Sequence, residues 1–294
     1  MSDQPGSSNG DHEPMWFGGP IYDEATARKI LEEVVLEEAD SDEEDGEAVV
    51  GFDPNDAALN NTYVVGDNYF RGERITPLIY FARKGDVKMC RYLISRGAST
   101  TKLAEIWYPM CMAAEEGHLD VCKVLYANGA QNDVRRDRDD ENRWTPFHHA
   151  ACLRRDEVLR WLTLHGALCA DGGSDTCTVE GHHIYPAAFR SEEEDPIFPS
   201  AWIRTRKGTM SSSYDRLVEW AKEVTQSHSS LMMFLLGALP PAPDTVQSRT
   251  LQCLCGHPGV RKHIGDFVGL EVTKGKHLRI LRNVVDVLPS FIKR

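Results

Sequence analysis

Three stretches of this chain place apolar side chains one helical turn apart. Met89, Cys90, Leu93 and Ile94 form the first; Val121, Cys122, Val124 and Leu125 the second; Val158, Leu159, Trp161 and Leu162 the third. Steps of three and four put each set on one face of a helix, with polar residues opposite. Each stripe stops at a Gly-Ala pair: Gly97-Ala98, Gly129-Ala130 and Gly166-Ala167. Glycine there readily takes the left-handed backbone that ends a helix. A shorter apolar helix precedes each stripe and begins at Pro77, Pro109 or Pro146, where a missing N–H costs nothing. Gly85 and Gly117 close the first two of these short helices, and Arg154 holds the equivalent place in the third.

The marks recur at fixed offsets. Counted from the residue before proline they fall at 76, 85 and 97, at 108, 117 and 129, and at 145, 154 and 166. A plain helical bundle has no reason to keep such offsets. The first unit opens Ile75-Thr76-Pro77-Leu78, the second Trp107-Tyr108-Pro109-Met110, and the third Trp144-Thr145-Pro146-Phe147. A period near 33 residues with Thr-Pro-Leu, a central Gly and a late Gly-Ala resembles the ankyrin repeat. The resemblance implies an all-α, ankyrin-type helix-turn-helix solenoid with short hairpin fingers, an irregular N-terminal cap and an α-helical C-terminal region. No single unit buries both of its helices alone, so the repeats must stack.

The rest of the chain divides around that array. Residues 1–48 read as an acidic, mostly disordered tail with one helix over Ile21–Leu36, and 49–74 as the N-terminal cap. The tail is expected to be solvated; the sharper alternative is that it docks on a basic partner or on the array itself. Repeats occupy 75–169, with a longer charged finger at Asp133–Asn142, where the spacing grows from 32 to 37 residues. An irregular insertion is expected over 170–212, since an ordered loop of that length is uncommon. Residues 213–294 read as helical. Tyr214–Thr225 and Leu231–Leu236 suggest a degenerate fourth repeat, Leu251–Val268 another, and His277–Leu288 a capping helix.

Charge changes this picture only locally. The chain holds 45 acidic and 33 basic residues, but 17 of the acids and only Arg28 and Lys29 of the bases lie in residues 1–60. The remaining 28 acids and 31 bases nearly cancel, so the repeats carry no basic nucleic-acid footprint. The N-terminus lacks the basic start and apolar stretch of a signal peptide. The apolar run Leu231–Leu239 is too short to span a bilayer. Eight cysteines stand singly, with Cys90, Cys111, Cys122 and Cys152 at buried repeat positions, as reduced thiols do in a cytoplasmic or nuclear protein.

The chain lacks the motifs of common chemistry. No phosphate-binding glycine loop and no nucleophile elbow occurs. His148-His149 falls in a repeat helix, where the resemblance implies that His148 bonds to turn backbone. His182-His183 with Cys169 and Cys177, and Cys253-x-Cys255-x-His257 with His263, do not have zinc spacing. No catalytic residue, metal or cofactor is expected. Thr250-Leu251-x-x-x-Cys255 followed by Val287-Leu288-Pro289 looks somewhat like a SOCS box, with Pro258-Gly259 where that motif keeps its helix. It implies, as an alternative function, a ubiquitin-ligase substrate receptor using residues 250–289.

The ankyrin resemblance implies a non-enzymatic protein-interaction scaffold or adaptor that uses finger tips and the exposed side of helix one. Those tip positions are Arg74 and Ile75, Glu105 and Trp107, and Glu141, Asn142 and Trp144. The helix-one positions are Arg83 and Lys84, Glu115 and Glu116, and Cys152 and Leu153. Trp107 and Trp144 are the expected anchors, because exposed tryptophans are costly unless covered. The competing expectation is that both pack between adjacent fingers. The expected partner is a protein, with no nucleic acid or membrane involved, and the chain is expected to be a monomer.

Overall fold

A computed structural model describes residues 20–36, 58–64, 69, 74–104, 107–135, 144–169, 184–186, 189, 200–237 and 275–292. These fall into two units, Met1–Asp139 and Asp140–Arg294. The described helices are α1 (Glu24–Leu36), α2 (Pro77–Lys84), α3 (Val87–Ser95), α4 (Pro109–Glu116), α5 (Leu119–Ala127), α6 (Pro146–Cys152), α7 (Asp156–Leu164), α8 (Ser200–Gly237) and α9 (Gly275–Ile292). Two short strands, β1 (Tyr63–Val64) and β2 (Arg74–Ile75), pair antiparallel, Tyr63 with Ile75 and Val64 with Arg74.

The repeat marks act as helix boundaries. Thr76 caps α2 by accepting from the Ile79 amide at 3.3 Å, with Pro77 in the first turn. His148 Nδ1 accepts from the Thr145 amide at 3.1 Å, so the ring bonds to turn backbone at the start of α6. Gly85 (φ 75°), Gly117 (φ 89°) and Arg154 (φ 57°) all take the left-handed turn at the same offset. Arg154 does so against the steric preference of an L side chain. Gly97, Gly129 and Gly166 repeat the conformation after the second helix of each unit.

In the first unit α2 pairs with α3 and α4 with α5, while α2 packs on α4 and α3 on α5. Leu78, Ile79, Met89, Leu93, Met110, Val121 and Leu125 are buried between them. Ala104 and Trp107 exchange two backbone hydrogen bonds of 2.8 Å, which closes a tight finger. Asn60 ties the N-terminal cap to the first repeat: its Nδ2 donates to the Gly97 carbonyl at 3.1 Å, and its Oδ1 accepts from the Ser99 amide at 2.7 Å. Asp133 and Val134 are buried in a 3-10 turn, Ala130–Val134, so the expected charged finger does not begin at Asp133. Its remainder, 136–142, lies outside the described residues.

The expectation of a solvated N-terminal tail is corrected for α1. Ala27 and Leu31 are buried, and Leu31 and Val34 line a small cleft with Tyr63, Ile75, Pro77, Tyr80 and Phe81. Glu24 Oε1 meets Arg96 Nη2 at 2.9 Å, and the Tyr22 hydroxyl donates to Asp86 Oδ2 at 3.3 Å. The physical reason is that the apolar side chains of Ile75, Pro77 and Phe81 on this side of the first unit need a cover, which Leu31 and Val34 supply. The acid run Asp40–Glu47 lies outside the described residues.

In the second unit α6 pairs with α7, α8 packs on both, and α9 packs on α8 and α7. The reading of Tyr214–Gly237 as a helix pair is corrected, because α8 is one continuous helix that begins at Ser200, inside the stretch expected to be irregular. No Gly or Pro interrupts residues 209–236. Its hydroxyls bond back one turn rather than breaking the helix. Thr205 Oγ1 donates to the Ala201 carbonyl at 2.9 Å, Thr225 Oγ1 to Ala221 at 2.8 Å, and Ser229 Oγ to Thr225 at 2.8 Å. The layer beyond the third repeat is therefore α8 with α9. Leu278, Ile280, Leu281, Val284 and Leu288 are the buried side of α9. Residues 238–274, which hold the expected repeat at 251–268, lie outside the described residues.

Candidate functional site

The short helices α2 and α4 end side by side, which brings four of the expected helix-one and tip residues together. Arg83 Nη2 and Glu116 Oε1 lie 3.0 Å apart. The Arg83 guanidinium also stands 3.7 Å from the centre of the Tyr69 ring. Trp107 meets the same ring at 5.4 Å and a tilt of 53°. The Tyr69 hydroxyl donates to Glu115 Oε1 at 2.5 Å. His118 braces the group from below by donating from Nε2 to the Arg83 carbonyl at 3.0 Å. Each of these side chains is half-buried. Arg83 is fixed by a carboxylate on one side and an aromatic face on the other, which suits the planar guanidinium.

The other expected positions fare differently. Arg74 and Lys84 are exposed, and Leu153 is half-buried. Ile75 is fully buried, because β2 pairs with β1 and turns it into the cleft under α1. Trp144 is buried as well. It packs against Phe189 at 5.5 Å, Trp202 of α8 at 6.4 Å and His149 at 5.2 Å. Cys152 is buried, with Arg206 Nη1 at 3.3 Å from its sulfur. Ile75, Trp144 and Cys152 are therefore core residues, not partner-facing ones. Glu105, Glu141 and Asn142 lie outside the described residues.

Tyr69 was not among the expected site residues, since it lies within 49–74, the expected cap. An aromatic in a polar stretch, Gly66-Asp67-Asn68-Tyr69, was the available signal. Sequence reasoning also missed the hold of α8 on repeat three. Arg216 bonds Asp156 through Nε and Nη2, both at 2.8 Å, and Ser213 Oγ donates to the Ala151 carbonyl at 2.8 Å. The paired guanidinium holds the Asp156 carboxyl below its usual pKa. Phe147 stacks on Tyr214 at 5.5 Å, and the Tyr214 hydroxyl donates to the Ile184 carbonyl.

A family model for ankyrin repeats in three copies matches residues 53–136 and again 101–172. Residues 53–172 carry ankyrin repeats. The chain is also 38% identical over 69 residues to the ankyrin repeat protein FPV014 of Fowlpox virus (strain NVSL), an alignment covering 24% of this chain and 16% of that protein. The alignment thus spans well under a fifth of that curated relative's length. Ankyrin repeats form a protein–protein interaction module, and the helix-turn-helix units described above are its working parts.

Burial pushes the Cys90 and Cys122 thiols well above their ordinary pKa, so neither forms a thiolate readily. Among the described residues no group of three His, Cys, Asp or Glu side chains is placed to hold a metal ion. The candidate zinc residues His182, His183, Cys177, Cys253, Cys255, His257 and His263 lie outside the described residues. So do residues 250–274 of the SOCS-like stretch, and Leu288 at its end is buried. No described helix is long and apolar enough to cross a membrane.

Proposed function

We propose that this chain is a non-enzymatic adaptor whose repeats bind a protein partner on the helix-one side of its first two repeats. The observation that carries the reading is the convergence of Arg83, Glu115, Glu116 and Trp107 at the ends of α2 and α4, with Lys84 exposed beside them. The second helices serve the core instead, since the apolar faces of α3 and α5 are buried there. A mixed-charge patch with an aromatic at its centre favours a partner that carries both signs of charge. The five described cysteines are buried thiols, none in a disulfide, which supports a reducing compartment such as cytoplasm or nucleus.

Site-specific photo-cross-linking in cells tests the proposal. A photoreactive residue at Lys84 should trap a partner protein, and the same residue at Asp120, exposed at the start of α5, should not. Cross-links from Asp120 alone would move the docking face to the second helices. No protein cross-link from either position would sink the adaptor reading.

A further inference from the structure

We propose that Arg83, Trp107 and Glu115 form a tyrosine-binding cleft, filled here by Tyr69 and open to a tyrosine from an extended segment of a partner protein. The proposal rests on the reading that the helix-one side is the docking face. Three different contacts read three features of one side chain. The Arg83 guanidinium, 3.7 Å from the ring centre, takes the electron-rich face by a cation–π contact. Trp107 at 5.4 Å and 53° takes the ring by a tilted aromatic contact. Glu115 Oε1 at 2.5 Å accepts the phenolic proton, a charge-assisted bond that phenylalanine cannot make.

Arg83 and Trp107 have holds other than Tyr69. Glu116 holds the guanidinium at 3.0 Å, and His118 holds the Arg83 backbone at 3.0 Å. Trp107 is fixed by its two backbone bonds to Ala104. Tyr69 itself is half-buried and lies 46 residues before Glu115 in the chain. Exchange of this ring for a partner's ring keeps the Arg83, Trp107 and Glu115 contacts to a tyrosine and opens no cavity in the core. The carboxylates Glu115 and Glu116 admit a neutral phenol and repel a phosphorylated one. A tethered occupant competes at a high effective concentration, so only a partner that brings further contacts displaces it.

The test uses the full chain and a fluorescent peptide of residues 65–73, read by anisotropy. The Tyr69→Ala chain should bind the peptide about tenfold or more tightly than the wild-type chain, because the tethered competitor is gone. Peptides with Phe or Ala in place of the tyrosine should bind the same variant more weakly, Ala most of all, and phosphotyrosine should not bind. Adding Arg83→Ala or Trp107→Ala should abolish binding. If Tyr69→Ala does not fold, Tyr69→Phe keeps the ring and weakens the lock, and its peptide affinity should exceed that of the wild type. Equal binding to wild-type and variant chains, equal binding of Tyr and Ala peptides, or no binding to any folded variant would overturn the proposal. That failure would leave the adaptor reading intact, since cross-linking at Lys84 involves no peptide.

Discussion

His118 lies so close to Gly85 that a methyl group built on the glycine would fall 2.5 Å from the imidazole ring. The same ring holds the Arg83 carbonyl at 3.0 Å. The glycine therefore serves two ends, a left-handed turn at φ 75° and a seat for the histidine of the next repeat. Gly85→Ala should cost about 2–4 kcal/mol, combining left-handed strain with a clash. Gly97→Ala has φ 96° and no atom within 4 Å of the added methyl, so it should cost only the strain, about 1–2 kcal/mol. Chemical denaturation of both variants decides it; equal losses would mean that His118 moves aside freely.

Arg154 takes the same turn at φ 57° without being a glycine, and its side chain is exposed. Arg154→Gly should remove the strain and raise stability by about 0.5–1 kcal/mol, after the entropy that glycine adds to the unfolded chain. A lower denaturation midpoint for the variant would show that the arginine side chain holds contacts worth more than the strain.

Trp144 and Trp107 should separate cleanly. Trp144→Ala removes a buried indole from among Phe189, Trp202 and His149 and should cost about 3–5 kcal/mol. Trp107→Ala empties a half-exposed position and should melt nearer to wild type. Differential scanning calorimetry reads both. A Trp144→Ala chain that melts like the wild type would place that residue back at an exposed tip.

Removal of residues 1–36 should lower the melting temperature, because it strips Ala27 and Leu31 from the face that holds Ile75 and Phe81. Leu31→Ala alone should cost about 2–3 kcal/mol, toward the low end for a buried leucine because only one side of the helix is covered. Circular-dichroism melts that coincide for all three chains would return α1 to the solvent.

The pH dependence follows from Asp156. Its carboxyl pKa is lowered, first by the hydrogen bonds from Arg216. A depressed folded-state pKa contributes stability above the unfolded value and loses it as pH falls through the folded one. Asp156→Asn should therefore lower stability near pH 7 by about 1 kcal/mol, modest because the pair is partly open to water. The gap to the wild type should close only as the pH falls through that lowered pKa, where the wild-type carboxyl also becomes neutral. A gap independent of pH would mean that the asparagine loses packing rather than charge.

The repeats could be read from the chain because their signals are local. A proline in the first turn, a glycine that must turn left-handed and an apolar step of three or four residues are all settled within one helix and its turns. That is why Pro77, Gly85, Leu93 and Gly97 have the places in the structure that their spacing implies, and why Arg83, Glu115 and Glu116 could be put at the ends of α2 and α4. Burial is a property of neighbours distant in sequence, and no period announces it. Trp144 looked like an exposed anchor until Phe189 and Trp202 covered it, and Cys152 until Arg206 and α8 did. The stretch up to 212 was expected to be irregular, yet from Ser200 it is helix, with the hydroxyls of Ser211 and Ser213 bonded to carbonyls one turn back and α6 and α7 to pack on. The sequence alone determined the repeat unit and where its helices begin and end. Tertiary structure alone decided that α1 covers Ile75 and Phe81 of the first unit and that Tyr69 reaches across 46 residues to Glu115, because such contacts depend on which surfaces meet.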